Sequence, residues 1–132
     1  MKIYTIGYSG RTIEELKAIT DSHNGGILDI RYSPRSRRPE WSKKRLTALY
    51  GNLYLHLWEW GNELYNQGEI QLADFTEGLR VFKGIEEDAK AAEWNGAIFL
   101  MCACKEYDHC HRRQVAELLR EHGYEVKEYG ED

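Results

Sequence analysis

Residues 97–103, Ala-Ile-Phe-Leu-Met-Cys-Ala, form an unbroken apolar run. A strand with one face in water would alternate apolar and polar side chains. A strand covered on both faces need not, so this run predicts a central buried strand of a sheet with helices on either side. That requirement organises the rest of the chain. Residues 2–8 (KIYTIGY), 27–32 (ILDIRY), 53–58 (LYLHLW) and 125–129 (EVKEY) give four further strand signals. In the third, Leu53, Leu55 and Leu57 face one way and Tyr54, His56 and Trp58 the other. Both faces then read as largely apolar, which predicts a parallel strand covered on both sides.

Helical patterns lie between the strands. Thr12 with Glu15 forms a capping box ahead of Ile13, Leu16 and Ile19. Ser42 is placed to cap a short helix through Leu46 and Leu49. Leu72, Phe75, Leu79, Phe82 and Ile85 mark a long amphipathic helix. A last helix runs from about His109 to His122, with Gly123 as its stop. Residues 62–71 show no period and read as a loop. The alternation predicts a single α/β domain over 1–132, with a mostly parallel sheet of about five strands and helices on both faces.

The chain has 132 residues, enough for one core, and no apolar run approaches the roughly 20 residues of a membrane span. Met1-Lys2 leads straight into the first strand signal, too short for a secretory apolar region, so a cytoplasmic protein with no membrane partner is expected. Three cysteines, Cys102, Cys104 and Cys110, form an odd, clustered set rather than a disulfide framework. Their spacing does not match a zinc site, and no metal is expected. The motifs specify no cofactor and no oligomeric state.

Charge is uneven. The chain carries a net charge of −4, yet residues 31–45 hold Arg31, Arg35, Arg37, Arg38, Lys43, Lys44 and Arg45 against Glu40 alone. A basic segment on an acidic body points to a specific anionic partner, a small molecule or a nucleic-acid component. Ligands of open parallel sheets bind beyond the carboxyl ends of the strands. Those ends carry Ser9, then Arg31, Ser33, Arg35 and Ser36, then Cys104 and Lys105, so they collect the residues with chemical potential. Asp29 and Arg31, two apart on a strand, share one face; they could pair with each other, or Arg31 could bind a substrate anion while Asp29 orients Arg112 or acts as a base. Cys110 is predicted in the first turn of the last helix, where free N–H groups and Arg112 and Arg113 favour a thiolate beside His111. The candidate catalytic residues are therefore Cys110, His111 and Asp29, with Arg31, Arg112, Ser9, Ser33, Arg35, Ser36 and Lys105 as candidate substrate ligands.

Three motifs occur together: T-I-G-Y-S, D-I-R-Y-S-P-R-S, and L-M-C-A-x-K followed by C-H-R-R. As a set they resemble the domain-of-unknown-function family 488, written D-V-R-x-x-P-x-S and C-A-E-K…C-H-R. The resemblance implies an α/β fold and marks Asp29, Arg31, Pro34, Ser36, Cys102, Lys105, Cys110, His111 and Arg112. It implies no reaction. Cys104 stands where the family pattern has Glu. The expected function is a small enzyme acting on a phosphorylated, nucleotide or nucleic-acid-related substrate at a Cys-His-Arg site. The alternative is a non-catalytic anion or nucleic-acid binding module that uses the 31–45 segment.

Overall fold

The computed structural model describes residues 1–34, 36–65 and 67–130. Within them the order is β1 (Lys2–Gly7), α1 (Ile13–Ser22), β2 (Gly26–Asp29), α2 (Lys43–Tyr50), β3 (Tyr54–His56), α3 (Phe75–Ala91), β4 (Ala97–Cys102), α4 (His111–Glu121) and β5 (Val126–Glu128). The strands form one five-stranded sheet, ordered β3-β2-β4-β1-β5, with every pair parallel. The apolar run is its middle strand.

Period-two alternation along β4 separates two cores. Ile98, Leu100 and Cys102 pack with α3 and α4 through Leu79, Phe82, Val115 and Leu119. Ala97, Phe99 and Met101 pack on the opposite face with Leu16 of α1 and Leu46 of α2. Helices thus cover both faces, and all six β4 residues are buried. Thr12 Oγ accepts from the Glu15 amide and Ser42 Oγ from the Arg45 amide, so both sequence-read caps start their helices. No helix among the described residues is long and apolar enough to cross a membrane.

Four readings shift. β3 is three residues long and lies at the sheet edge. Leu53, Trp58 and Leu55 are exposed, the last at 48%, because only one flank of an edge strand meets a neighbour. β2 stops at Asp29 rather than reaching Tyr32: the Arg31 amide turns to the Asp29 carboxylate, 3.1 Å away, and leaves the ladder. α3 begins only after Asp74, whose side chain accepts from the Glu77 amide, and runs on to Ala91. α4 begins at His111, so Cys110 is its N-cap and not a first-turn residue.

Candidate functional site

The loops that follow β1, β2, β3 and β4 open onto one cleft of about 1380 Å³ at the carboxyl edge of the sheet. Its first wall comes from Tyr8, Ser9, Arg31, Ser33, Ser36, Arg37 and Arg38. The segment after β3 adds Asn62, Glu63, Tyr65 and Glu69 to the lining. The floor after β4 supplies Ala103, Cys104, Asp108, His109 and His111. The lining therefore combines cations and hydroxyls from the loops after β1 and β2 with carboxylates and an exposed tyrosine from the segment after β3.

Arg31 is the fixed point of the basic wall. Its Nε and Nη2 donate to Asp29 Oδ1 and Oδ2 at 2.9 and 2.6 Å, a two-point pairing. Nη1 donates to Tyr8 Oη at 3.3 Å, and the guanidinium lies over the Tyr8 ring, which stacks on buried Trp41. Of five guanidinium N–H groups, three are used in these bonds and two remain. Burial alone would disfavour the charge, but the Asp29 bonds outweigh it and hold Arg31 protonated above its ordinary range. Asp29 is fully buried and also accepts from Tyr54 Oη. Two histidines fasten the backbone beside it. His111 Nε2 donates to the Ile30 carbonyl at 2.6 Å and His56 Nε2 to the Arg31 carbonyl at 2.7 Å.

The three thiols meet behind the floor. Their Sγ atoms lie within 4.8 Å of one another, and Cys102 and Cys110 are 2.8 Å apart. All three cysteines are free, Cys102 and Cys110 buried and Cys104 half-buried on the cleft. Because Nε2 of His111 carries its proton toward Ile30, Nδ1 presents a lone pair to Cys110 Sγ, 3.7 Å away. Hydrogen bonds from Cys102 and then Cys110 hold the Cys104 thiol far below its ordinary range, helped by the field of Arg112. For Cys110, the bond with Cys102 pulls the pKa down. Its own donation to Cys104 and its burial outweigh that pull, and it is pushed up to about 11. Burial is the main cause holding Cys102 well above the usual thiol range, and burial likewise lowers the pKa of His111, which stays neutral. The sequence reading has Cys110 as the ionised thiol; the N-cap position buries its sulfur, and its pKa is pushed up while that of Cys104 is lowered.

Arg112 is also reassigned. It donates from Nε and Nη2 to Glu128 at 3.0 and 2.7 Å, from Nη2 to the Lys105 carbonyl, and from Nη1 to the Cys104 carbonyl and Cys102 Sγ. It is fully buried on the α4 side of the sheet and does not line the cleft. Asp29 faces the other side of the sheet, beside Tyr54, so it does not orient Arg112. Its carboxylate is occupied by Arg31 and Tyr54, which leaves it poorly placed to act as a base. Lys105 is exposed and outside the cleft lining. Ser9, Arg31, Ser33, Ser36 and His111 do line it. Arg35 lies outside the described residues.

Sequence reasoning misses the residues after β3, because the aperiodic stretch 62–71 carries no pattern beyond that of a loop. Its one signal was its place after a parallel strand. The convergence of three sulfurs was also not visible in their spacing. They make a set of soft atoms able to hold a metal. Arg112 Nη1, 3.2 Å from Cys102 Sγ, already supplies a fixed cation there.

Compared with known families, residues 12–119 match the model described as Domain of unknown function DUF488. The match spans most of the chain, and the chain belongs to that family. The searches of curated proteins and of solved structures gave no match.

Proposed function

We propose that this member of the DUF488 family is a small enzyme that binds a phosphorylated ligand of nucleotide type in the carboxyl-edge cleft and attacks its phosphorus with the Cys104 sulfur. An S–P bond forms as a phosphoester P–O bond breaks, and the alcohol leaves with a proton from water. The observation that carries this reading is the pairing, in one cleft, of a cation wall fixed by Arg31 with the free, half-buried thiol of Cys104, whose pKa is lowered there. Arg31 keeps two N–H groups for a phosphate oxygen, and Ser9, Ser33 and Ser36 add hydroxyl donors. Tyr65, 63% exposed, offers a stacking face for a base. Glu63 and Glu69 can accept from exocyclic amino groups or ribose hydroxyls. Cys110, His111 and Arg112 act as positioning residues: the first lies within 4.8 Å of the Cys104 sulfur, the second presents Nδ1 to Cys110, and the third holds the Cys104 carbonyl.

The test is calorimetric titration with nucleoside 5′-monophosphates and with the parent nucleosides. The phosphate should confer at least about tenfold tighter binding, the equivalent of roughly 1.4 kcal/mol. Arg31→Met should remove that difference, and Cys104→Ala should bind normally while forming no covalent or released product. Equal affinity for nucleotide and nucleoside would overturn the reading.

A second reading, a binding module without chemistry, is supported by the exposure of Arg37, Arg38, Lys43, Lys44 and Arg45. Three of these cations occupy the first turn of α2, at the positive end of its dipole, where each costs about 0.3–1 kcal/mol. An anionic partner would offset that cost. Binding to an oligonucleotide whose logarithmic affinity falls with log salt at a slope of about −4 or steeper favours this reading; a shallow slope favours the single-phosphate one.

A further inference from the structure

The thiol cluster can do more than supply one nucleophile. We propose that Cys104 and Cys110 form a two-electron redox couple whose oxidising substrate is a hydroperoxide that reaches Cys104 from the cleft. This inference uses the sulfurs alone and does not depend on a phosphorylated ligand.

Three features carry it. The sulfurs lie within 4.8 Å of one another, so a bridge needs only a small side-chain movement toward the roughly 2.05 Å of an S–S bond. Only Cys104 lines the cleft, so an oxidant meets one sulfur first while Cys102 and Cys110 are buried behind it. The fixed charge beside them belongs to Arg112, with Nη1 at 3.2 Å from Cys102 Sγ and 2.8 Å from the Cys104 carbonyl. A cation there favours the anionic sulfur that peroxide chemistry requires and disfavours a second cation such as a metal ion.

The steps balance. The Cys104 thiolate attacks the terminal oxygen of the hydroperoxide. An S–O bond forms, the O–O bond breaks, and the alkoxide or hydroxide leaves and takes a proton from water. Cys104 is now a sulfenic acid. Cys110 then attacks the Cys104 sulfur. The S–S bond forms, the S–O bond breaks, and hydroxide departs as water with the proton from Cys110. His111 Nδ1, 3.7 Å from Cys110 Sγ and unprotonated, is the base placed to receive that proton first. Two thiols are oxidised and one hydroperoxide is reduced to an alcohol or water. Cys110 is the resolving partner because Cys102 is only two residues from Cys104, where a bridge closes a tight, strained ring.

The full chain, reduced and then freed of reductant, is treated with one equivalent of hydrogen peroxide, and its thiols are counted and mapped by mass spectrometry. The expected product has lost two thiols and joins Cys104 to Cys110, with Cys102 still alkylatable after denaturation. Cys104→Ser should slow oxidation roughly tenfold or more, since the remaining thiols are buried and protonated. Cys110→Ser should arrest Cys104 as a sulfenic acid that dimedone captures. Should that variant not fold, dimedone added to the wild-type chain within seconds of peroxide must label Cys104 and suppress the bridge. Oxidation of Cys104→Ser at the wild-type rate, or thiols that react only in denaturant, would overturn the proposal.

Discussion

The replacement Asp29→Asn isolates what fixes the basic wall. Asp29 is fully buried and Arg31 nearly so, with side-chain exposures of 0% and 6%, and they are joined by two short bonds. Neutralising one partner leaves the other as an uncompensated buried charge, which costs about 3–5 kcal/mol. The asparagine amide keeps one oxygen for Tyr54 or for the Arg31 amide but not for all of its former donors, so the upper half of that range is expected. Domains of this size are stable by about 5–15 kcal/mol, so the variant should lose a third or more of its stability. With roughly 3–5 °C lost per kcal/mol, the melting temperature should fall by about 12–25 °C. The assay is urea denaturation followed by the fluorescence of buried Trp41 and Trp60, in a cycle with Arg31→Met and with Asp29→Asn/Arg31→Met. The double variant should be more stable than the sum of the single losses implies, because it removes both charges. A cost below about 1 kcal/mol for Asp29→Asn, or strict additivity in the cycle, would refute the view that these groups act as a mutually compensating buried pair.

Further outcomes follow from neighbouring positions. A β-carbon on Gly7 would lie 1.8 Å from the Cys104 carbonyl oxygen and 2.9 Å from Arg112 Nη1. Gly7→Ala should therefore destabilise by about 1–3 kcal/mol and return Cys104 to the reactivity of an ordinary thiol, read by alkylation across a pH series. Burial depresses the folded-state pKa of His111. Its contribution to stability is thus complete above the unfolded value near ~6.5 and is lost as pH falls through the lower folded value. His111→Gln should flatten that acid limb in melting curves from pH 7 to 5, and an unchanged limb would contradict the assignment. Phe82, buried against Trp60 and Tyr124, should cost about 3–5 kcal/mol as Phe82→Ala. Leu55→Ala on the exposed edge should cost no more than about 0.5 kcal/mol, and a large loss there would argue that β3 is covered.

The parts of the fold legible in the sequence were those governed by local chemistry. An all-apolar run has one comfortable location in a layered domain, and 97–103 occupies it as β4. Thr12 and Ser42 satisfy amides in their own first turns, so their role needs no tertiary knowledge. The third strand failed for the opposite reason. An alternating pattern with apolar residues on both faces reports what could be covered, not whether a second layer exists, and the sheet order that makes β3 an edge is a non-local fact. The start of α3 was missed although Asp74 and Glu77 carry a capping signal, because the apolar period was read back to Leu72 ahead of the cap.

The site divides along the same line. That Ser9, Arg31, Ser33, Ser36, Cys104 and His111 share a cleft follows from their positions after parallel strands. Which sulfur is ionised does not, since it depends on which thiol donates to which and on burial to within one residue. Placing Cys110 at the N-cap instead of the first turn turns its sulfur into the cluster, 2.8 Å from that of Cys102. The family pattern has Glu at this position. A glutamate there would bring a negative charge beside Arg112, and this chain has instead a thiol whose pKa is lowered. The substitution exchanges a group that cannot be oxidised for one that can. The surrounding architecture, with Arg112 spanning Glu128 and the Cys104 carbonyl, can then remain unaltered.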